Sequence, residues 1–119
     1  MMRLAFKVAR ESKFERARVG AVVVRGSRVL STGCNRIGFS KYLPDRRFRE
    51  SVHAEAQAIL ELLKHRRGDE LVGSTMYVSR INNSGFARLS RPCPACRRLL
   101  EAVGIRKVFY TTDTGVEQL

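Results

Sequence analysis

With 119 residues, 44% hydrophobic and 29% charged, the chain fits one globular domain, 1–119, and neither disorder nor a repeat array is expected. Its 23 Lys+Arg against 11 Asp+Glu give a formal net charge of +12, a field that draws anionic partners. No apolar run approaches the roughly 20 residues of a membrane span, so no membrane association is expected; three cysteines, two of them in one C-x-x-C, argue against a disulfide framework and for a reducing, cytoplasmic setting.

The N-terminus is too polar for a signal sequence and reads as a structural helix from Met2 to about Phe14, with Leu4, Ala5, Val8 and Ala9 on one face. Val19–Val24 and Arg28–Gly33 are β-rich runs joined by Gly26-Ser27, a hairpin; both faces of Val22–Val24 are apolar, so that strand is covered on both sides. Asn35–Glu50 is a loop broken by Gly38, Ser40 and Pro44, carrying Phe39, Tyr42 and Phe48 among Lys41, Arg46, Arg47 and Arg49. A helix over about Val52–Arg67 buries Ile59, Leu62 and Leu63, with Ser51 as N-cap and Gly68 as stop. Ser74–Ile81 is a third strand, and Asn82–Arg91 a polar excursion, read as a short hairpin around Asn83-Ser84-Gly85. Pro92 opens a helix in which Cys96, Leu99, Leu100 and Val103 recur at helical spacing before Gly104. Lys107–Thr112 is a fourth strand. The order α-β-β-α-β-α-β predicts an α/β protein: a mixed sheet of four or so strands with helices on its faces.

Two short motifs carry chemistry. His53-Ala54-Glu55 and Pro92-Cys93-Pro94-Ala95-Cys96 each fall at the start of a predicted helix. A helix N-terminus stabilises thiolates, the form that binds metal. One imidazole and two thiolates, His53, Cys93 and Cys96, make three ligands for a catalytic zinc and leave its fourth position for water. Glu55, two residues from His53, does not share its helical face; it is placed beside the metal rather than on it, as a proton carrier. Cys34 is expected to be a small core residue and His65 a solvated helix-end residue.

At these motifs the chain resembles the cytidine and deoxycytidylate deaminase superfamily, over roughly Val19 to Thr112. The resemblance implies a three-layer α-β-α fold and assigns His53, Cys93 and Cys96 to one zinc ion and Glu55 to proton shuttling. It implies that Asn35, in Gly33-Cys34-Asn35, contacts sugar or base, and that Ala54 lines the base pocket. Many relatives also carry a fifth strand and a further helix after the fourth strand. This chain is C-terminally short, and the exposed sheet edge invites a partner copy, a homo-oligomer.

The implied reaction is hydrolytic deamination of cytosine to uracil. Aromatics and cations in Asn35–Glu50 and Asn82–Arg91 flank the site, and Arg46, Arg47, Phe48, Arg88 and Arg91 are candidate substrate contacts. Such a mixture holds single-stranded nucleic acid, which is the preferred substrate on sequence grounds. The alternative is a nucleotide, dCMP or CMP; adenosine in RNA, or a non-catalytic zinc module that binds nucleic acid, stand behind it.

Overall fold

The computed structural model describes residues 1–13, 17–37 and 51–119, Ser51 by its backbone alone. In chain order the elements are α1 (Met2–Ala9), β1 (Arg18–Arg25), β2 (Arg28–Cys34), β3 (Arg36–Ile37), β4 (Ser51–Val52), α2 (Ala54–Lys64), a 3-10 turn (Gly68–Leu71), β5 (Thr75–Ile81), β6 (Ala87–Arg88), α3 (Pro94–Ala102), β7 (Lys107–Thr111) and β8 (Val116–Gln118). The main sheet runs β2-β1-β5-β7-β8. Its ladders are antiparallel except β5–β7, which is parallel and is bridged by α3. The far end of β5 pairs instead with β6, so the polar excursion is a hairpin, as expected.

Alternation along β1 explains the three layers. Val22 and Val24 face one way and pack with Ala5 and Val8 of α1. Ala21 and Val23 face the other way and join the larger core with Ala54, Ala58, Ile59 and Leu62 of α2 and Leu100 of α3. Two glycines set the spacing of these layers. A Cβ on Gly20 would lie 2.3 Å from the Ala5 carbonyl oxygen, and one on Gly33 would lie 2.5 Å from the Ala58 nitrogen. Both obstacles are backbone, so neither can swing aside. The second contact seats α2, the helix whose N-cap is His53, directly on β2.

Several expectations are corrected. α1 ends at Ala9, short of Phe14. The N-cap of α2 is His53, and Ser51 lies in β4. Leu63 is 38% exposed, while Ala56 and Leu60 are fully buried. They are buried because α3 covers that side of α2 through Ala95 and Cys96, a surface the α2 sequence does not reveal. α2 ends at Lys64, Arg66 takes the left-handed conformation (φ 57°), and Gly68 begins the 3-10 turn instead of stopping the helix. α3 begins at Pro94, with Cys93 as its N-cap. The segment after the fourth strand is also a strand: β8 pairs Val116–Gln118 with Phe109–Thr111 and covers the edge of β7 on which the expectation of a partner copy rested. None of the three cysteines is in a disulfide. Among the described residues no helix is long and apolar enough to cross a membrane.

Candidate metal centre and cleft

The site is assembled by small elements. β3 and β4 form a two-stranded ladder pairing Arg36 with Val52 and Ile37 with Ser51. This ladder brings Asn35, just before β3, up to His53, just after β4. His53 is extended (φ −67°, ψ 152°), and its carbonyl accepts from the Gln57 N–H at 2.9 Å to start α2. Cys93 repeats the arrangement for α3 (φ −67°, ψ 165°), its carbonyl accepting from Arg97 at 2.8 Å. The small side chains of Ala56 and Ala95 and the thiol of Cys96 let the two helices pack closely. Both N-termini therefore open on the same point.

There His53 Nδ1 lies 3.2 Å from Cys96 Sγ and 3.6 Å from Cys93 Sγ, and the Cys96 N–H points to Cys93 Sγ at 3.4 Å. All three ligand atoms lie within 4.8 Å of one another. Zinc held tetrahedrally, at about 2.3 Å from sulfur and about 2.0 Å from nitrogen, spaces its ligand atoms by roughly 3.5–3.8 Å. The donor types and their spacing thus fit zinc. Electrostatics agree: burial, then the Glu55 carboxyl and the neighbouring Cys93, push the Cys96 thiol far above its ordinary range. A thiolate at that position requires a cation beside it.

Glu55 is 5% exposed. Burial raises its carboxyl above the usual carboxylate range, against the opposing pull of a backbone hydrogen bond, His53 and the Cys96 thiol. It is not among the grouped metal donors. Instead it lines a cleft of about 320 Å³ together with His53 and Ala54. Asn35 and Arg91, both expected at the substrate, line the same cleft. The amide of Asn35 is largely committed inside the protein: Oδ1 accepts from Ser12 Oγ (2.6 Å) and the Val19 N–H (2.9 Å), and Nδ2 donates to the Ala17 carbonyl (2.7 Å). It holds the Ala17–Val19 wall of the cleft in place.

Arg88 is not part of the lining; it lies 3.6 Å from Asp113, both side chains more than half exposed. Arg46, Arg47 and Phe48, with Phe39 and Tyr42, lie outside the described residues. His65 is exposed and meets Glu61 at 3.2 Å, and Cys34 is half-buried against the α1-side core, as expected of both. Sequence reasoning missed Arg80, Leu89 and Ser90, which also line the cleft. Strand alternation could have found Arg80 had the β1–β5 register been known.

One imidazole and two thiols at helix heads, with a carboxyl beside them that is not a ligand, form the donor set of the zinc-dependent deaminases. Residues 1–112 match the family model of the cytidine and deoxycytidylate deaminase zinc-binding region, and the chain belongs to that family. A deoxycytidylate deaminase of Mycobacterium phage D29 is 32% identical over 130 aligned positions, covering 93% of this chain and 91% of the relative. Among solved structures, the apo dCMP deaminase of cyanophage S-TIM5 superposes with a TM-score of 0.71 at 24% identity, over 93% of this chain and 79% of that one. The cytidine deaminase of Mycobacterium leprae superposes with a TM-score of 0.58 at 21% identity, over 99% and 89%. Both have this fold.

Proposed function

We propose that this protein deaminates a cytosine mononucleotide, dCMP, to dUMP with release of ammonia. The observation that carries this reading is the likeness, along nearly its whole length, to a relative named deoxycytidylate deaminase. Among the described residues, two of the side chains that favoured a polynucleotide on sequence grounds stand outside the cleft lining, while Arg91 is within it. Phe86 is 70% exposed and Arg88 is turned to Asp113, neither in the cleft lining. A cleft of about 320 Å³ is at the small end of the range for single-ligand pockets.

The chain's own residues divide the work. His53, Cys93 and Cys96 would hold zinc, which when bound supplies the Lewis acidity that makes water a nucleophile at neutral pH. Glu55, buried beside the ligand set and with its carboxyl raised above the usual carboxylate range, is placed for general acid–base work. It takes one from the attacking water and delivers it to the ring nitrogen, then assists departure of the amine. The C4–N bond breaks, a C4 carbonyl forms, and ammonia leaves. Ala54 lines the cleft in which the base would sit, and Asn35 fixes its Ala17–Val19 wall.

The test offers the purified, zinc-loaded protein dCMP, CMP, deoxycytidine, an adenosine nucleotide and a cytosine-containing single-stranded oligonucleotide, and follows each by mass. Conversion of dCMP to dUMP with the oligonucleotide unchanged is the expected result. Conversion of the oligonucleotide with dCMP untouched would overturn the proposal.

A further inference from the structure

Arg80 is a cleft cation that neither motif announces. The β1–β5 register pairs it with Val19, so its side chain leaves the sheet on the same face as Ala21, Val23 and Val78, the face that α2 covers. It emerges at the end of β5 and lines the cleft with His53, Glu55 and Arg91. Its Nε is buried with no hydrogen-bond partner among the described residues. A desolvated, unpaired donor on a charged group is costly.

The far side of Arg80 adds to that cost. β6 sets Arg88 directly opposite it, and like charges facing across a ladder destabilise it. Among the described residues the acid beside this pair is Asp113, on Arg88 rather than Arg80, and solvent-exposed. Among the described residues the one carboxyl in the cleft lining is Glu55, buried against the Cys96 sulfur.

The wall is nevertheless held firmly. The Arg80 N–H donates to Thr111 Oγ1 (3.2 Å), which itself donates to the Arg88 carbonyl (2.8 Å). Ser90 Oγ lies 2.8 Å from that hydroxyl, accepts from the Thr111 N–H (2.7 Å) and donates to the Val78 carbonyl (2.9 Å). Two buried hydroxyls thus stitch β5, β6, β7 and the approach to α3 into one unit. Arg80 and Arg91 on a wall braced from behind, with no carboxylate paired to Arg80 among the described residues, form a preorganised anion site.

We propose that Arg80 is the residue that selects for the substrate's phosphate monoester, with Arg91 as its second donor in the cleft. The inference deepens the mononucleotide reading above and rests on it. The phosphate brings charged acceptors to the Arg80 guanidinium and offsets the Arg80–Arg88 repulsion, whereas a neutral nucleoside brings no counter-charge.

The experiment compares wild type, Arg80→Gln and Arg80→Lys, zinc-loaded to one ion per chain, on dCMP and deoxycytidine. The readout is the ratio of kcat/KM for the two substrates. The expected result is a roughly 100-fold fall in that ratio for Arg80→Gln, carried mainly by KM for dCMP, with most of it regained in Arg80→Lys. A parallel loss on both substrates, with the ratio preserved, would overturn the assignment. Should the wild type ignore dCMP and act on another cytosine substrate, the mononucleotide reading falls. The role of Arg80 is then decided by the same ratio between the phosphorylated and unphosphorylated forms of that substrate.

Discussion

At Cys96 a fully buried sulfur, 3.2 Å from an imidazole nitrogen and beside a buried carboxyl, is an expensive place for negative charge. Zinc resolves that cost, so the ligands should act as a set. Cys96→Ala or His53→Ala is expected to lower bound zinc from one ion per chain to a small fraction, read by atomic emission after dialysis. Near-full occupancy in Cys96→Ala would contradict the ligand assignment. Asn35 has a different role. Its amide satisfies the Val19 N–H and the Ala17 carbonyl, so Asn35→Ala should cost about 1–3 kcal/mol of stability in urea unfolding, as expected when such groups lose their partners. The metal ligands were legible in the sequence because their chemistry is local: two short motifs, each opening a helix whose N-terminus favours a thiolate. The commitments of Asn35 were not, because Ser12 lies 23 positions away in sequence. Arg80 was hidden for a related reason: its orientation depends on a strand register that no local pattern sets.

Among the elements, the contacts that matter most are those where side chains are missing. Gly20 admits the backbone of α1 and Gly33 that of α2. Gly20→Ala and Gly33→Ala should each destabilise the fold by about 1–3 kcal/mol or more, the usual cost of overpacking. They should differ in their effect on the metal. Displacing α2 moves His53, whereas α1 carries no ligand, so only Gly33→Ala should also weaken zinc affinity, by at least about tenfold in competition with a chelator. Equal zinc affinity in the two variants would separate the seating of α2 from the site. Most elements were readable from period and punctuation, including the hairpin at Gly26-Ser27 and the doubly covered β1. β8 was not, because Val116–Gln118 is exposed throughout and carries no alternating apolar signal. Ser51 looked like a cap for α2; the ladder with β3 claims that residue and leaves the capping position to the ligand His53.

For the molecule as a whole, a chain of 119 residues has a modest core and gains from a bound metal. Removing zinc with a chelator is expected to lower Tm by at least about 5 °C, roughly what 1 kcal/mol shifts in a domain of this size. The net charge of +12 belongs to the whole chain and gives it a field that draws anions. For a mononucleotide its effect is modest: KM for dCMP should rise less than about tenfold between 50 and 200 mM salt, where a polymer contacting 6–10 phosphates would weaken by about 10³–10⁵. The charge balance was evident from composition, but composition does not say whether those arginines meet one phosphate or many.

The central claim is a division of labour between three residues that hold an ion and a fourth that moves protons. Glu55→Gln, which keeps size and hydrogen-bonding capacity while removing the ionisable group, tests it most directly. Zinc per chain and dCMP turnover should be measured on the same preparation. The expected result is one zinc per chain with turnover reduced by at least about 100-fold, the lower end of what general acid–base catalysis contributes. Turnover within a few-fold of wild type at full zinc occupancy would contradict the account.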